Sequence, residues 1–304
     1  MGQPAGAHPH ADARRLHLVD GTYELFRAHY SKRPARTAPD GQDVKATVGL
    51  VSSLLALLDD TEEAVTHLGV AFDRPIESWR NARLASYKSS EGVDPALLAQ
   101  LAGAEEAVTA LGVHVWRAEE VEADDVLASA AVQLSAQLDE VRILTPDKDL
   151  AQVVAGTRIV QVDRSRKVER DEQAVVERFG VPPAAIPDLL ALVGDDADGI
   201  PGLTGIGQRT AATLLAHYGH LDAIPDDHEA WTVTVRGAAR VAATLREHAD
   251  DARLYRELTT LARDLDLGVG LPELRVGGVP RARFLAWCDA VGADRLRERP
   301  RRWA

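Results

Sequence analysis

Three short apolar runs each end on an aspartate: RLHLVD at 15–20, HLGVAFD at 67–73 and VRILTPD at 141–147. Runs rich in Val, Ile and Leu suit buried strands, and TRIVQVD at 157–163 is a further candidate. Between them lie helical patterns at 44–63, 95–112 and 122–138, the last opening with acids that suit a helix N-terminus. Strands alternating with helices predict an α/β unit with a mostly parallel sheet. Sites in such sheets form outside the carboxyl ends of the strands, where Asp20, Asp73 and Asp147 would then stand.

After about residue 180 the strand signal stops and the text becomes helical, with Gly/Pro punctuation at 182–194 and 194–219. The expected organisation is a disordered tail (1–13), an α/β domain (14–180), a helical domain (181–270) and a basic C-terminal extension (271–304). In that extension the stretch from Val279 onward carries seven arginines against Asp289, Asp294 and Glu298. A length of 304 residues accommodates two domains. The net charge of −12 argues against holding a polyanion by bulk positive charge, so any such contact is local. Cys288 is the sole cysteine, which excludes an intrachain disulfide and a thiolate metal site and leaves oxygen as the ligand for any metal. Residues 1–13 contain no apolar signal-peptide core and no stretch is long enough for a membrane span, so a cytoplasmic location is expected.

The informative residues are acids in tight groups: Asp20; Asp73; Glu122, Asp124 and Asp125; Asp147 and Asp149; Asp195, Asp196 and Asp198. Any one of them reads most simply as a cap, a turn former or a solvated acid. Several gathered at one sheet edge repel each other by several kcal/mol unless cations compensate, so their convergence implies bound metal. Mg²⁺, held by carboxylates, waters and substrate phosphate, is the expected ion, and two-metal phosphodiester hydrolysis the expected chemistry. GLTGIGQRTAATLL (202–215) is a glycine hairpin between helical segments; Gly205 and Gly207 permit close backbone approach, so helix N-terminal amides can face a phosphate. A plain helix–helix turn fits that segment equally well. In RNARLASYK (80–88), Arg80, Arg83 and Lys88 recur at near-helical intervals, with Tyr87 available for base stacking; the bland alternative is an ordinary solvated helix face.

Taken in order, LVDG (18–21), VAFD (70–73), YK (87–88), EADD (122–125), TPDKD (145–149) and GDDADGIPGLTGIGQRTA (194–211) resemble the bacterial and phage 5′→3′ exonuclease/flap endonuclease family over roughly residues 14–270. The chain is similar to the N-terminal nuclease domain of bacterial DNA polymerase I, without the polymerase. The resemblance implies a PIN-like nuclease domain followed by a helical domain with a helix-three-turn-helix (helix-hairpin-helix) element. It implies that Asp20, Asp73, Glu122, Asp124, Asp147, Asp149 and Asp195 are metal ligands, with Asp125 and Asp198 as the further acids of the bacterial branch. The ion would be Mg²⁺, with Mn²⁺ as a substitute. By the same resemblance Lys88 points at the scissile phosphate, Arg80 and Arg83 contribute to catalysis, and Tyr87, Gly205, Gly207, Gln208 and Thr210 contact DNA, with K⁺ bound at the hairpin. The partner is DNA at 5′ flaps, nicks or 5′ ends, in replication or repair, and the protein acts as a monomer.

The chain departs from that pattern in two places. Relatives commonly read Y-K-x-x-R, whereas Glu91 stands at the arginine position here; either turnover falls or Arg80 or Arg83 takes over part of the task. In D-G-I-P (198–201) Gly199 stands where many relatives have asparagine, which alters a turn and leaves the ligands intact. Competing readings are a DNA-binding protein with weakened nuclease activity and a PIN-type ribonuclease.

Overall fold

A computed structural model describes residues 13–304; the tail expected to be disordered lies, apart from Ala13, outside the described residues. Six strands form one sheet: β1 Arg15–Asp20, β2 His67–Asp73, β3 His114–Ala118, β4 Glu140–Leu144, β5 Ile159–Asp163 and β6 Val168–Arg170. Their order is β3-β2-β1-β4-β5-β6, parallel except for the β5–β6 pair. From β1 the chain winds outward to β2 and β3, then returns to the other side of β1 as β4. Such a reversal opens a crevice at the carboxyl ends of β1 and β4.

Side chains alternate across the sheet, so β1 sends Leu16 and Leu18 to one core and Val19 to the other. One face is covered by α1 (Gly21–His29), α2 (Lys45–Leu58), α3 (Pro95–Leu98) and α4 (Leu101–Ala110), and the other by α5 (Ala123–Leu134). The single helix expected over 95–112 is broken before α4. At the break the buried Gln100 accepts backbone N–H bonds from Ala46 and Thr47 with its Oε1, satisfying the first turn of α2, whose N-cap Val44 has no side chain able to do so. Gly69 in β2 is required by packing: a Cβ there would lie 2.3 Å from the Trp116 ring of β3.

Beyond α6 (Glu172–Phe179) come α7 (Ile186–Val193), α8 (Gln208–Tyr218), α9 (Ala238–Glu247) and α10 (Ala249–Thr259), which enclose a third core with Leu189, Leu203, Ile206, Leu214 and Val241. The chain then returns to the sheet. Leu261, Leu271 and Leu274 enter the α5-side core, and Val279, Phe284 and Cys288, the last two on α11 (Arg281–Ala290), enter the opposite one. Burial pushes the Cys288 thiol up to about 11, so it packs as an inert apolar group. No helix among the described residues is long and apolar enough to cross a membrane.

Candidate metal centre and nucleic-acid interface

The carboxylates meet at the crevice between β1 and β4. Asp20 ends β1 and caps α1, its Oδ1 accepting the Tyr23 N–H at 2.8 Å and its Oδ2 the Thr145 hydroxyl at 3.2 Å. Asp73 ends β2; its backbone N–H donates to Thr22 Oγ1 and its Oδ1 accepts the Ala123 N–H. Glu122 is the N-cap of α5 and Asp124 lies in the first turn, where the helix dipole favours anions. Asp147 and Asp149 follow β4, the Asp149 N–H donating to Asp147 Oδ1 at 3.0 Å. Asp195 and Asp198 come from the loop after α7, and with Asp149 they bring three carboxylate oxygens within 4.8 Å of one another.

Burial and mutual repulsion act together on this cluster. Burial, then Asp73 and Asp147, push the Asp20 carboxyl up to about 7. Burial followed by Asp147 and Asp20 raises Asp124 well above the carboxylate range, and burial followed by Asp147, Asp198 and Asp195 does the same to Asp149. Asp73 and Asp147 are raised as well, burial again being the first cause. Asp124 Oδ1 and Asp149 Oδ1 are buried with no hydrogen-bond partner. Orphaned oxygens amid clustered, all-oxygen donors fit a hard divalent cation, which would satisfy them and cancel the repulsion.

A pH dependence follows from these groups. Between an unfolded value near 3.8 and a folded value of about 7, the folded metal-free chain holds a proton on Asp20 that the unfolded chain releases. Raising the pH through that window therefore removes stability. In EDTA the melting temperature should fall as the pH rises from about 5 to about 7.5, and divalent cation should flatten that slope, because an ion bound only to the folded cluster stabilises it. A pH-independent melting temperature in EDTA would contradict this electrostatic account.

Four of the expected site residues, Asp125, Arg80, Tyr87 and Arg83, are engaged elsewhere. Asp125 does not face the cavity: it pairs bidentately with Arg80 at 2.7 and 2.9 Å, both side chains about 1% exposed, and also accepts the Glu122 and Ala262 N–H groups. Arg80 further donates to the carbonyls of Leu258 and Thr260. Asp125 is thus spent as a ligand and Arg80 as a catalytic cation; together they fasten α5 to the end of α10. Tyr87 is not free to stack on a base either, being 5% exposed against Ile200 and Leu258. Arg83 pairs at the surface with Glu257, 2.8 Å away.

The expected helical basic face over 80–88 is absent. A short 3-10 turn at Trp79–Ala82 gives way to non-helical chain. Glu91 therefore does not sit one helical turn beyond Lys88; it is an exposed acid in a loop. Glu91→Arg should change a cleavage rate by less than about twofold, the effect of a remote surface charge, and a larger gain in steady-state turnover would show that it faces substrate. Gly199 has a steric reason: with φ at +72°, a Cβ there would come 1.8 Å from the Ser86 carbonyl oxygen. That contact closes the 80–90 segment onto the 195–200 loop, where the Lys88 N–H donates to the Asp198 carbonyl and Ser86 Oγ to the Gly199 carbonyl.

Lys88 reaches the cluster from this junction, its Nζ 2.8 Å from Glu122 Oε2 and 3.0 Å from Asp198 Oδ1. Burial alone would lower its pKa, but Glu122 and Asp198 outweigh it and hold the ammonium well above its ordinary value. Four supporting residues escaped the sequence reading: Thr22, Ser78, Thr145 and Lys148. Ser78 donates to Glu122 Oε1 at 2.9 Å, and Lys148 Nζ lies 2.7 Å from Asp195 Oδ1. Thr145 and Lys148, both inside TPDKD, carried a visible signal; Thr22 and Ser78 carried none.

In the hairpin, Leu203 and Ile206 bury into the third core, which leaves Thr204, Gly205 and Gly207 outward. Gly207 is the N-cap of α8 and provides no side-chain cap, so the first-turn amides have no capping side chain, and a Cβ at Gly207 would meet nothing within 4 Å, which leaves room for close approach there. The Gln208 side chain is engaged with the Phe179 carbonyl, Thr210 is part-buried, and the Arg240 guanidinium lies beside Gly205.

The family description "5′-3′ exonuclease, N-terminal resolvase-like domain" matches residues 15–180, and "5′-3′ exonuclease, C-terminal SAM fold" matches 181–282. DNA polymerase I of Mycobacterium leprae is 34% identical over 289 residues, which cover 93% of this chain and 31% of the relative. The chain thus spans about a third of the length of that curated relative. Among solved structures, phage T5 5′-exonuclease with bound zinc superposes with a TM-score of 0.65 at 19% identity, covering 91% of this chain and 100% of that one. A phage T5 flap endonuclease complex with DNA and metal ions gives 0.63 at 20% identity, covering 94% and 96%. At these identities the two superpositions speak to the fold, an α/β resolvase-like domain followed by a helical one.

Proposed function

The chain belongs to the 5′-3′ exonuclease family, and from that premise we propose that it is a divalent-metal-dependent 5′ nuclease hydrolysing DNA at flaps, nicks or 5′ ends. The observation that carries the reading is the convergence of Asp20, Asp73, Asp124, Asp147 and Asp149 at one sheet edge, with buried carboxylate oxygens on Asp124 and Asp149 left unpartnered. Asp20, Asp73, Glu122, Asp124 and Asp147 would hold one Mg²⁺, and Asp149, Asp195 and Asp198 a second, with Mn²⁺ able to replace either. When bound, such ions supply Lewis acidity and a metal-activated water.

The protein's own groups do the rest. Lys88 presents its ammonium to the scissile phosphate, a point charge able to offset negative charge gathering there. Backbone amides at Gly207, Gln208 and the following turn grip a duplex phosphate, helped by Arg240 and by K⁺ at the hairpin. Such contacts fix register without reading sequence. In this proposal residues 14–180 form the nuclease body and 181–270 the duplex-gripping unit, while 271–304 serve the nuclease body as packing. The protein would act as a cytoplasmic monomer in replication or repair.

The test is a cleavage assay on a 5′-flap duplex and on single-stranded RNA, each with and without Mg²⁺. Metal-dependent release of the flap with RNA left intact supports the reading. Preferential RNA cleavage would overturn it in favour of a ribonuclease, and binding without cleavage in favour of a DNA-binding protein.

A further inference from the structure

Each acid of the Asp149–Asp195–Asp198 trio except Asp149 already has an ammonium group on it. Lys148 Nζ sits 2.7 Å from Asp195 Oδ1, and Lys88 Nζ bridges Asp198 Oδ1 and Glu122 Oε2 at 3.0 and 2.8 Å. The carboxylates beneath are nearly inaccessible, at 2% for Asp195 and 7% for Asp198, whereas the lysine side chains are 34% and 26% exposed. The two lysines therefore cap the cluster from its solvent side. The chain has only five lysines against thirty arginines, and two of the five are at this spot. A lysine is suited to it: its ammonium is a compact charge on a flexible stem that can swing away, whereas a guanidinium fork locks into bidentate pairs, as Arg80 does with Asp125.

We propose that Lys148 is a tethered counter-cation of the metal centre, holding Asp195 while the site is empty of divalent ion and displaced from it, together with Lys88 from Asp198, when the ion binds. Displacement turns both ammoniums toward the open side of the crevice, where a substrate phosphate arrives. Metal loading and readiness for substrate are thereby coupled: without the ion, the cations that would meet the phosphate are held on carboxylates. This rests on the metal-centre reading above and assigns Lys148 a part in it as a positioning residue.

Two measurements test it, neither relying on turnover. In the first, wild-type protein is treated with a limiting amine-acylating reagent with and without Mn²⁺, and the five lysines are quantified by mass spectrometry. Acylation of Lys148 and Lys88 should rise severalfold with Mn²⁺ relative to the exposed Lys32 and Lys167. Unchanged or falling reactivity at Lys148 overturns the proposal. In the second, Mn²⁺ is titrated by calorimetry into wild type, Lys148→Met and Lys148→Arg. Methionine keeps the apolar stem and removes the competing charge, so Lys148→Met should bind Mn²⁺ about fivefold more tightly, the worth of one part-exposed ion pair. Lys148→Arg should stay near wild type or bind more weakly. Equal affinity in wild type and Lys148→Met overturns the counter-cation role while leaving the metal centre standing. Absence of Mn²⁺ binding in wild type overturns both.

Discussion

Asp147→Asn should lose hydrolysis by about a thousandfold or more, the several kcal/mol that a catalytic metal contributes, while binding a 5′-flap duplex as tightly as wild type or more tightly. Asp147 follows β4 and lies close enough to Asp20 to raise its carboxyl, and its Oδ1 also accepts the Asp149 N–H, so it both belongs to the cluster and shapes the next ligand. Burial and then Asp198 already hold its carboxyl above the ordinary range, which means the folded chain carries this charge at a cost. Asparagine preserves the size and the acceptor for Asp149 but removes one unit of repulsion, so the metal-free variant should melt no lower than wild type. Single-turnover cleavage, equilibrium DNA binding and melting in EDTA check the three parts. A parallel loss of binding and cleavage would mean that Asp147 shapes the DNA surface rather than the metal centre.

Lys88→Ala should lower single-turnover cleavage by about a hundredfold to a thousandfold, the usual loss when one preorganised group facing developing charge is removed. Substrate binding should change by only a few-fold, because the contacts that grip the duplex lie in the hairpin. The backbone at this residue is pinned by the Asp198 carbonyl and by the Asn81 side chain, which donates to the Lys88 carbonyl, so truncation does not release the loop. Lys88→Met separates the charge from the packing of the stem. If methionine restored the rate, the residue would be acting through its stem, and its place at the scissile phosphate would be lost.

What could be read beforehand follows from burial. β1, β2, β4 and β5 lie inside the sheet, and each is dominated by buried Leu, Val, Ile or Phe with at most single polar residues such as His17, Arg142 or Gln161 between them. β3 and β6 are the edge strands; HVWRA and VER carry polar residues and no run, and neither is visible in the text. The acids were legible as a set because several carboxylates beside strand ends rarely gather without a cation. Which acid faces inward was not legible. Asp124 and Asp125 are neighbours, but one step along a helix rotates a side chain by about 100°, which directs Asp125 to Arg80 and away from the cavity. The basic residues at 80–88 misled for a related reason: their spacing suits a helix, yet the burial of Arg80 and Tyr87 dictates a 3-10 turn and an irregular loop. Lys148 lay inside a recognised motif, but its partner Asp195 is distant in sequence, and pairing at that range is a property of the fold.

The central claim is that the crevice between β1 and β4 holds divalent cations on this particular set of carboxylates. Anomalous X-ray diffraction from crystals grown with Mn²⁺ tests it most directly. Two peaks about 4 Å apart are expected, the spacing of two-metal phosphodiesterase centres. One should lie among Asp20, Asp73, Glu122, Asp124 and Asp147, and the other on Asp149, Asp195 and Asp198, with Asp125 still bound to Arg80. Absence of anomalous density at the crevice, or density bound through Asp125 with Arg80 expelled, would contradict the account.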